Sequence, residues 1–115
     1  MTAPKSAVLS LQHLRRDYRT AFLGYLPGHA EGPLHVAYKL GRGAVDSGLS
    51  VLDLAQIHHE VLIEVLRDTN ADDLGGVTTA ASEFFLEVLA AYEMAHRGSL
   101  PAPEPTRTPL SPNMT

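Results

Sequence analysis

The chain has 115 residues, 44% hydrophobic, 19% charged and 6% aromatic, enough for one small domain and too few for two separately cored domains or a large-enzyme scaffold. Nine Lys plus Arg against thirteen Asp plus Glu leave a formal charge of −4, a balance that aids solubility and disfavours nonspecific nucleic-acid binding. The absence of cysteine excludes disulfides, thiolate chemistry, cysteine-held iron–sulfur centres and cysteine-ligated zinc fingers.

The opening "MTAPKSAVLSLQHLRRDY" turns charged and amphipathic before it forms a signal-type hydrophobic region. No run of about eighteen apolar residues follows, so a cytoplasmic protein without a membrane partner is expected. Between about Ser6 and Leu26, Val8, Leu11, Leu14, Tyr18, Phe22 and Tyr25 recur at intervals of three and four, which predicts a helix with one apolar stripe. Arg15, Arg16, Asp17 and Arg19 fall between these positions on a solvated face, and Pro27-Gly28 ends the unit.

A second helix is predicted from Pro33 to Asp46, with proline in its first turn and Leu34, Tyr38, Gly41 and Val45 on one face. Ala37, Gly43 and Ala44 add small surfaces, and the helix-propensity cost of Gly41 and Gly43 points to close packing or a bend. "GRG" lacks the spacing and strand-to-helix context of a phosphate loop. After the Ser47-Gly48 break, Ser50 and Asp53 resemble a capping box for a third helix, Val51 to Leu66. Its apolar arc is unusually wide: Leu54, Ala55, His58, Val61, Leu62 and Val65 are flanked by Leu52, Ile57, Ile63 and Leu66. One side suits the core and the other a second subunit.

"RDTNADDLGG" reads as a polar linker interrupted by Gly75-Gly76, followed by a fourth helix from Thr78 to Arg97 capped by Thr78 or Thr79. Phe84, Phe85, Val88, Leu89, Tyr92 and Met94 give it an aromatic and aliphatic surface, and Gly98 terminates it. The last eighteen residues hold five of the eight prolines, so 99–115 is expected to be a flexible Pro-rich tail or linker. The expected architecture is all-α: a four-helix bundle over residues 6–98, assembled as a homodimer.

The chemistry-bearing residues do not form a complete catalytic set. His58 and His59 are adjacent and diverge by about 100° on a helix, away from a zinc-protease arrangement, so His58 is read as a structural histidine and His59 as solvated. Glu93 and His96 form a lone Glu-x-x-His pair, without the second pair and further glutamates that a di-metal bundle needs. Asp68, Asp72 and Asp73 lie in one short linker, and Ser82 lacks a nucleophile elbow. No catalytic residue, cofactor or metal is therefore assigned; a metal-dependent hydrolase built on Glu93 and His96 is the remote alternative.

At "YRTAFLGYL", "AYKLGRGAVDSGLSVLDLAQIHHEVLIEVL" and "ASEFFLEVLAAYEMAHRG", the sequence resembles the N-terminal domain of the RsbU-type phosphoserine phosphatases, from about Tyr18 to Gly98. The match is carried by Ser50, Ile57-His58 and Val61-Leu62 in the third helix and Phe84, Glu87-Val88, Tyr92 and Met94 in the fourth. The resemblance implies a noncatalytic four-helix module that dimerises and binds a switch kinase or related regulator in partner-switch stress signalling; the phosphatase activity of that family belongs to a separate C-terminal domain. By the same resemblance His35, Phe85 and Leu89 match a partner-binding surface, with His35 standing where a family member has an aromatic residue. The second reading is a purely structural dimerisation domain for an output domain.

Overall fold

The computed structural model describes residues 5–99, with side chains described from Ser10 to Gly98. Four helices and one short 3-10 turn follow in order: α1 (Lys5–Tyr25), α2 (Glu31–Asp46), α3 (Val51–Arg67), the turn Ala71–Asp73, and α4 (Leu74–Ser99). The described residues contain no strand. Of the predicted Pro-rich tail 99–115, Ser99 still belongs to α4 and 100–115 lies outside the described residues, as does the side chain of Val8.

Cross-bundle contacts fix the helix directions. Arg15 pairs with Glu60 at 2.8 Å and Arg19 with Glu64 at 2.9 Å, so α1 and α3 run parallel. His58 lies against Phe85, and Tyr92 donates to the carbonyl of Leu49 just before α3, so α3 and α4 run antiparallel. The result is an up-down-up-down bundle. Its core is the expected stripe of α1, with Leu14, Tyr18, Phe22 and Tyr25 buried against Leu54, Ile57 and Val61 of α3 and Phe84 and Val88 of α4. Three aromatic rings of α1 meet Phe84: Tyr18 edge-on at 5.0 Å, Phe22 at 5.7 Å and Tyr25 at 5.9 Å. Such offset pairs add to the burial of apolar area.

The most extensive contact is between α2 and α4, because α2 presents small residues to its neighbour. Ala37, Gly41 and Ala44 are buried, whereas the predicted positions Leu34, Tyr38 and Val45 are only partly covered. At Gly41 an added Cβ would lie 2.2 Å from the carbonyl oxygen of Val88 and 2.9 Å from the backbone nitrogen of Tyr92, so only glycine lets these backbones meet. Gly43, expected to share this role, faces open space.

The predicted box at α3 is complete: the Asp53 amide donates to Ser50 Oγ at 3.1 Å and the Ser50 amide to Asp53 Oδ2 at 2.9 Å. The start of α4 departs from expectation. Gly75 and Gly76 are helical, and Thr78 caps nothing: its hydroxyl donates to the carbonyls of Leu74 and Gly75 inside the helix. The turn Ala71–Asp73 runs straight into the helix and sets Asp72 and Asp73 at its positive end, which offsets the two glycines' cost of about 1 kcal/mol each. By length and composition α4 is apolar enough to cross a membrane; one face of it, with Ala80, Ala81, Phe84, Val88, Ala91 and Tyr92, is buried within the bundle.

Candidate functional site

His35 sits exposed on the outer side of α2, its ring parallel to that of Tyr38 at a centroid distance of 6.2 Å. With Glu31, Leu34, Tyr38 and Glu87 it lines a shallow groove of about 310 Å³ between α2 and α4. Phe85 lies half-buried on α4, and Leu89 follows one turn later on the same edge, also half-buried. Glu87 and Leu89 are two positions apart and point about 200° from one another, which puts them on opposite sides of α4. Phe85 and Leu89 therefore share a surface toward α3, and His35 opens onto a different one.

His58 joins the Phe85 surface to the core. Its ring stacks on Phe85 at 4.1 Å with an interplanar angle of 5°, and its Nδ1 lies 2.8 Å from the Tyr18 hydroxyl. Burial raises the Tyr18 pKa above the ordinary phenol value and, with the charge of His59, lowers that of His58. At neutral pH both groups are thus uncharged, and the Tyr18 hydroxyl and His58 Nδ1 share one hydrogen bond. His58 is the structural histidine that its place on the α3 stripe predicts.

A second polar cluster gives no sign of itself in the spacing. The Tyr25 hydroxyl donates to Glu83 Oε1 at 2.7 Å, and His29 Nδ1 lies 3.0 Å from the same oxygen. His29 takes a positive φ of 52° in the α1–α2 connection and stacks on Tyr25 at 4.9 Å. Burial, the bond to Glu83 and the charges of Glu83 and Glu87 push the Tyr25 pKa up to about 12. Glu83 thereby ties the α1–α2 turn to α4.

The remaining candidates do not converge. Glu93 pairs with Arg97 at 2.8 Å, while His96 stacks against Tyr92. Asp68, Asp72 and Asp73 border an open hollow of about 410 Å³ beside His29. Among the described residues no group of three or more His, Asp or Glu side chains is placed to hold a metal ion. The arginines read as a solvated face are exposed but paired: Arg15 and Arg19 reach α3, and Arg16 holds Asp17 at 3.2 Å.

A profile for the family described as "Phosphoserine phosphatase RsbU, N-terminal domain" matches residues 16–95, well over half of the chain. The chain belongs to this family. No curated protein and no solved structure matches it. As an RsbU N-terminal domain it is a regulatory module of the partner-switch type, and no catalytic phosphatase domain is detected in these 115 residues. His35, Phe85 and Leu89 all fall within the matched span.

Proposed function

We infer that this RsbU N-terminal domain is a noncatalytic binding module of partner-switch stress signalling, acting in the cytoplasm as a homodimer that engages a switch kinase or a related regulator. Family membership over residues 16–95 carries this reading. The surface of α4 supports it: Phe85 and Leu89 are only half-covered by their own chain, and Leu86 beside them is 62% exposed. Large apolar side chains grouped in this way at helical spacing are the usual anchors of protein contacts. His35, Phe85 and Leu89 are assigned to partner binding, with Phe85 held by its stack on His58 and therefore presented without much loss of rotamer freedom.

A second reading, a purely structural dimerisation domain for an output domain, is favoured by the same exposed Leu86 together with Leu52, which is 77% exposed on α3. A pull-down from native lysate, run beside a size measurement, separates the two. Kinase enrichment by the wild type that is lost in His35→Ala or Leu89→Glu supports the kinase-binding role. A stable dimer that enriches no signalling protein supports the structural one.

A further inference from the structure

The described Lys and Arg side chains divide sharply by helix. Arg15, Arg16 and Arg19 of α1 and Arg97 of α4 each pair with a carboxylate. Lys39 and Arg42 of α2 make no ion pair among the described residues. Arg67 makes none either, but it stands in the last turn of α3, where it complements the negative end of the helix. The middle of α2 gives its two cations no such service.

His35, Lys39 and Arg42 occupy positions i, i+4 and i+7, within about 60° of arc, and all are exposed. Tyr38 orders two of the three side chains, His35 and Arg42. The His35 ring lies nearly parallel to that of Tyr38 at a centroid distance of 6.2 Å, the Arg42 guanidinium lies 5.8 Å from the Tyr38 ring centroid, and its Nη1 donates to the Tyr38 hydroxyl at 3.2 Å. One guanidinium N–H is used in that bond, and the others remain for an acceptor from outside. A side chain ordered before binding loses less entropy on binding. Beside the stripe, Val36 is partly exposed and Gly43 has nothing near its Cβ direction, so an approaching backbone meets little obstruction.

We propose that this outward face of α2 is a docking stripe for an acidic helix of a protein partner, whose carboxylates at i, i+4 and i+7 meet His35, Lys39 and Arg42. The proposal rests on the binding-module reading above and adds to it the chemistry of the partner. Charge bounds the surface and selects this occupant. Glu31 and Asp46 close the two ends of α2, Glu87 lies across one flanking groove, and Asp17 lines the groove of about 590 Å³ on the other side. A dense polyanion such as nucleic acid or an anionic membrane would meet these carboxylates, whereas a single helix with a short acidic stripe fits between them.

The test uses the ¹⁵N-labelled full chain and two blocked alanine-based helical peptides, one with glutamates at i, i+4 and i+7 and one with lysines there. The acidic peptide should shift the amides of His35 to Gly43 saturably, and raising salt from about 50 mM to about 300 mM should weaken it several-fold. A Lys39→Glu/Arg42→Glu variant, with helicity checked by circular dichroism, should bind it at least about tenfold more weakly and accept the lysine peptide instead. Shifts centred on Arg67 or α1, an unchanged affinity of the variant, or self-association of the wild type that the variant abolishes would each overturn the stripe. Kinase capture that survives the double reversal removes the stripe and leaves the kinase reading intact. Peptide binding at α2 without any kinase capture does the reverse.

Discussion

Gly41 and Gly43 are two residues apart on one helix, yet their environments predict opposite responses to the same methyl group. Gly41→Ala places a Cβ into the backbone of Val88 and Tyr92, which cannot rotate away, so α2 and α4 must separate. A loss of about 3 kcal/mol is expected, at the upper end of ordinary overpacking. Gly43→Ala adds its methyl to open space and gains helix propensity, so it should stabilise by about 0.5 to 1 kcal/mol. Urea unfolding of both variants checks the pair, and a neutral Gly41→Ala would mean that the helices are not in close contact. At His58 the prediction concerns pH. Its pKa is lowered in the folded chain, by burial first and His59 second, from a reference of 6.5. The unfolded state therefore takes up the proton first as pH falls, so this contribution is complete above about 6.5 and is lost on passing down through the folded value. Between about pH 7.5 and about pH 5.5 the wild type should lose more stability than His58→Gln, most ion pairs of the carboxylates being still intact there. Parallel losses in the two proteins would remove His58 as the cause.

At the scale of elements, the parts legible in sequence are those governed by local rules. The α1 stripe from Leu14 to Tyr25 needed only the helical period, and the α3 start needed only Ser50 with Asp53 three residues on. Because both bonds of that box form, Ser50→Ala should cost about 1 kcal/mol, read as a lowered urea midpoint, and an unchanged midpoint would show that water replaces the cap. Where local signals compete, tertiary packing decides. Gly75 and Gly76 argue for a break, but the helix continues through them because the chain ahead already turns at Ala71–Asp73 and the helix behind is anchored by Ala80, Ala81 and Phe84. On α2 the large residues mark the buried stripe only weakly, because the contact itself is made by Ala37, Gly41 and Ala44. Partnerships between distant residues left no trace at all. Arg19 with Glu64 and Tyr25 with Glu83 depend on which helices become neighbours, and helical spacing is silent on that. For the candidate site, the role of His58 was legible because it interrupts an apolar stripe, whereas the separation of His35 from Leu89 follows only from the placement of α4 between two surfaces.

For the whole molecule, the question is what covers the outer face of α4. Phe85, Leu86 and Leu89 fall at i, i+1 and i+4 and form one patch, half-covered at Phe85 and Leu89 and open at Leu86. Burying such a patch against a copy of itself offsets part of the entropy lost on association, and a two-fold interface repeats every contact, so each substitution acts twice. Should the proposed homodimer form through this patch, in place of the partner contact assigned to Phe85 and Leu89, Leu86→Glu/Leu89→Glu would put four carboxylates into its interface while leaving the core residues Phe84 and Val88 in place. The expected result is a dimer weakened by at least about tenfold, a change of about 1.4 kcal/mol or more, in sedimentation equilibrium, with helicity unchanged. Met94→Glu serves as the control. Met94 is 62% exposed on the same helix but points about 140° away from Leu89, so the charge it adds should leave association as it was. Equal effects from the two sites would mean that general charge repulsion, and not this patch, governs assembly; a dimer that tolerates both would move the interface to α3, where Leu52 is the next residue to change.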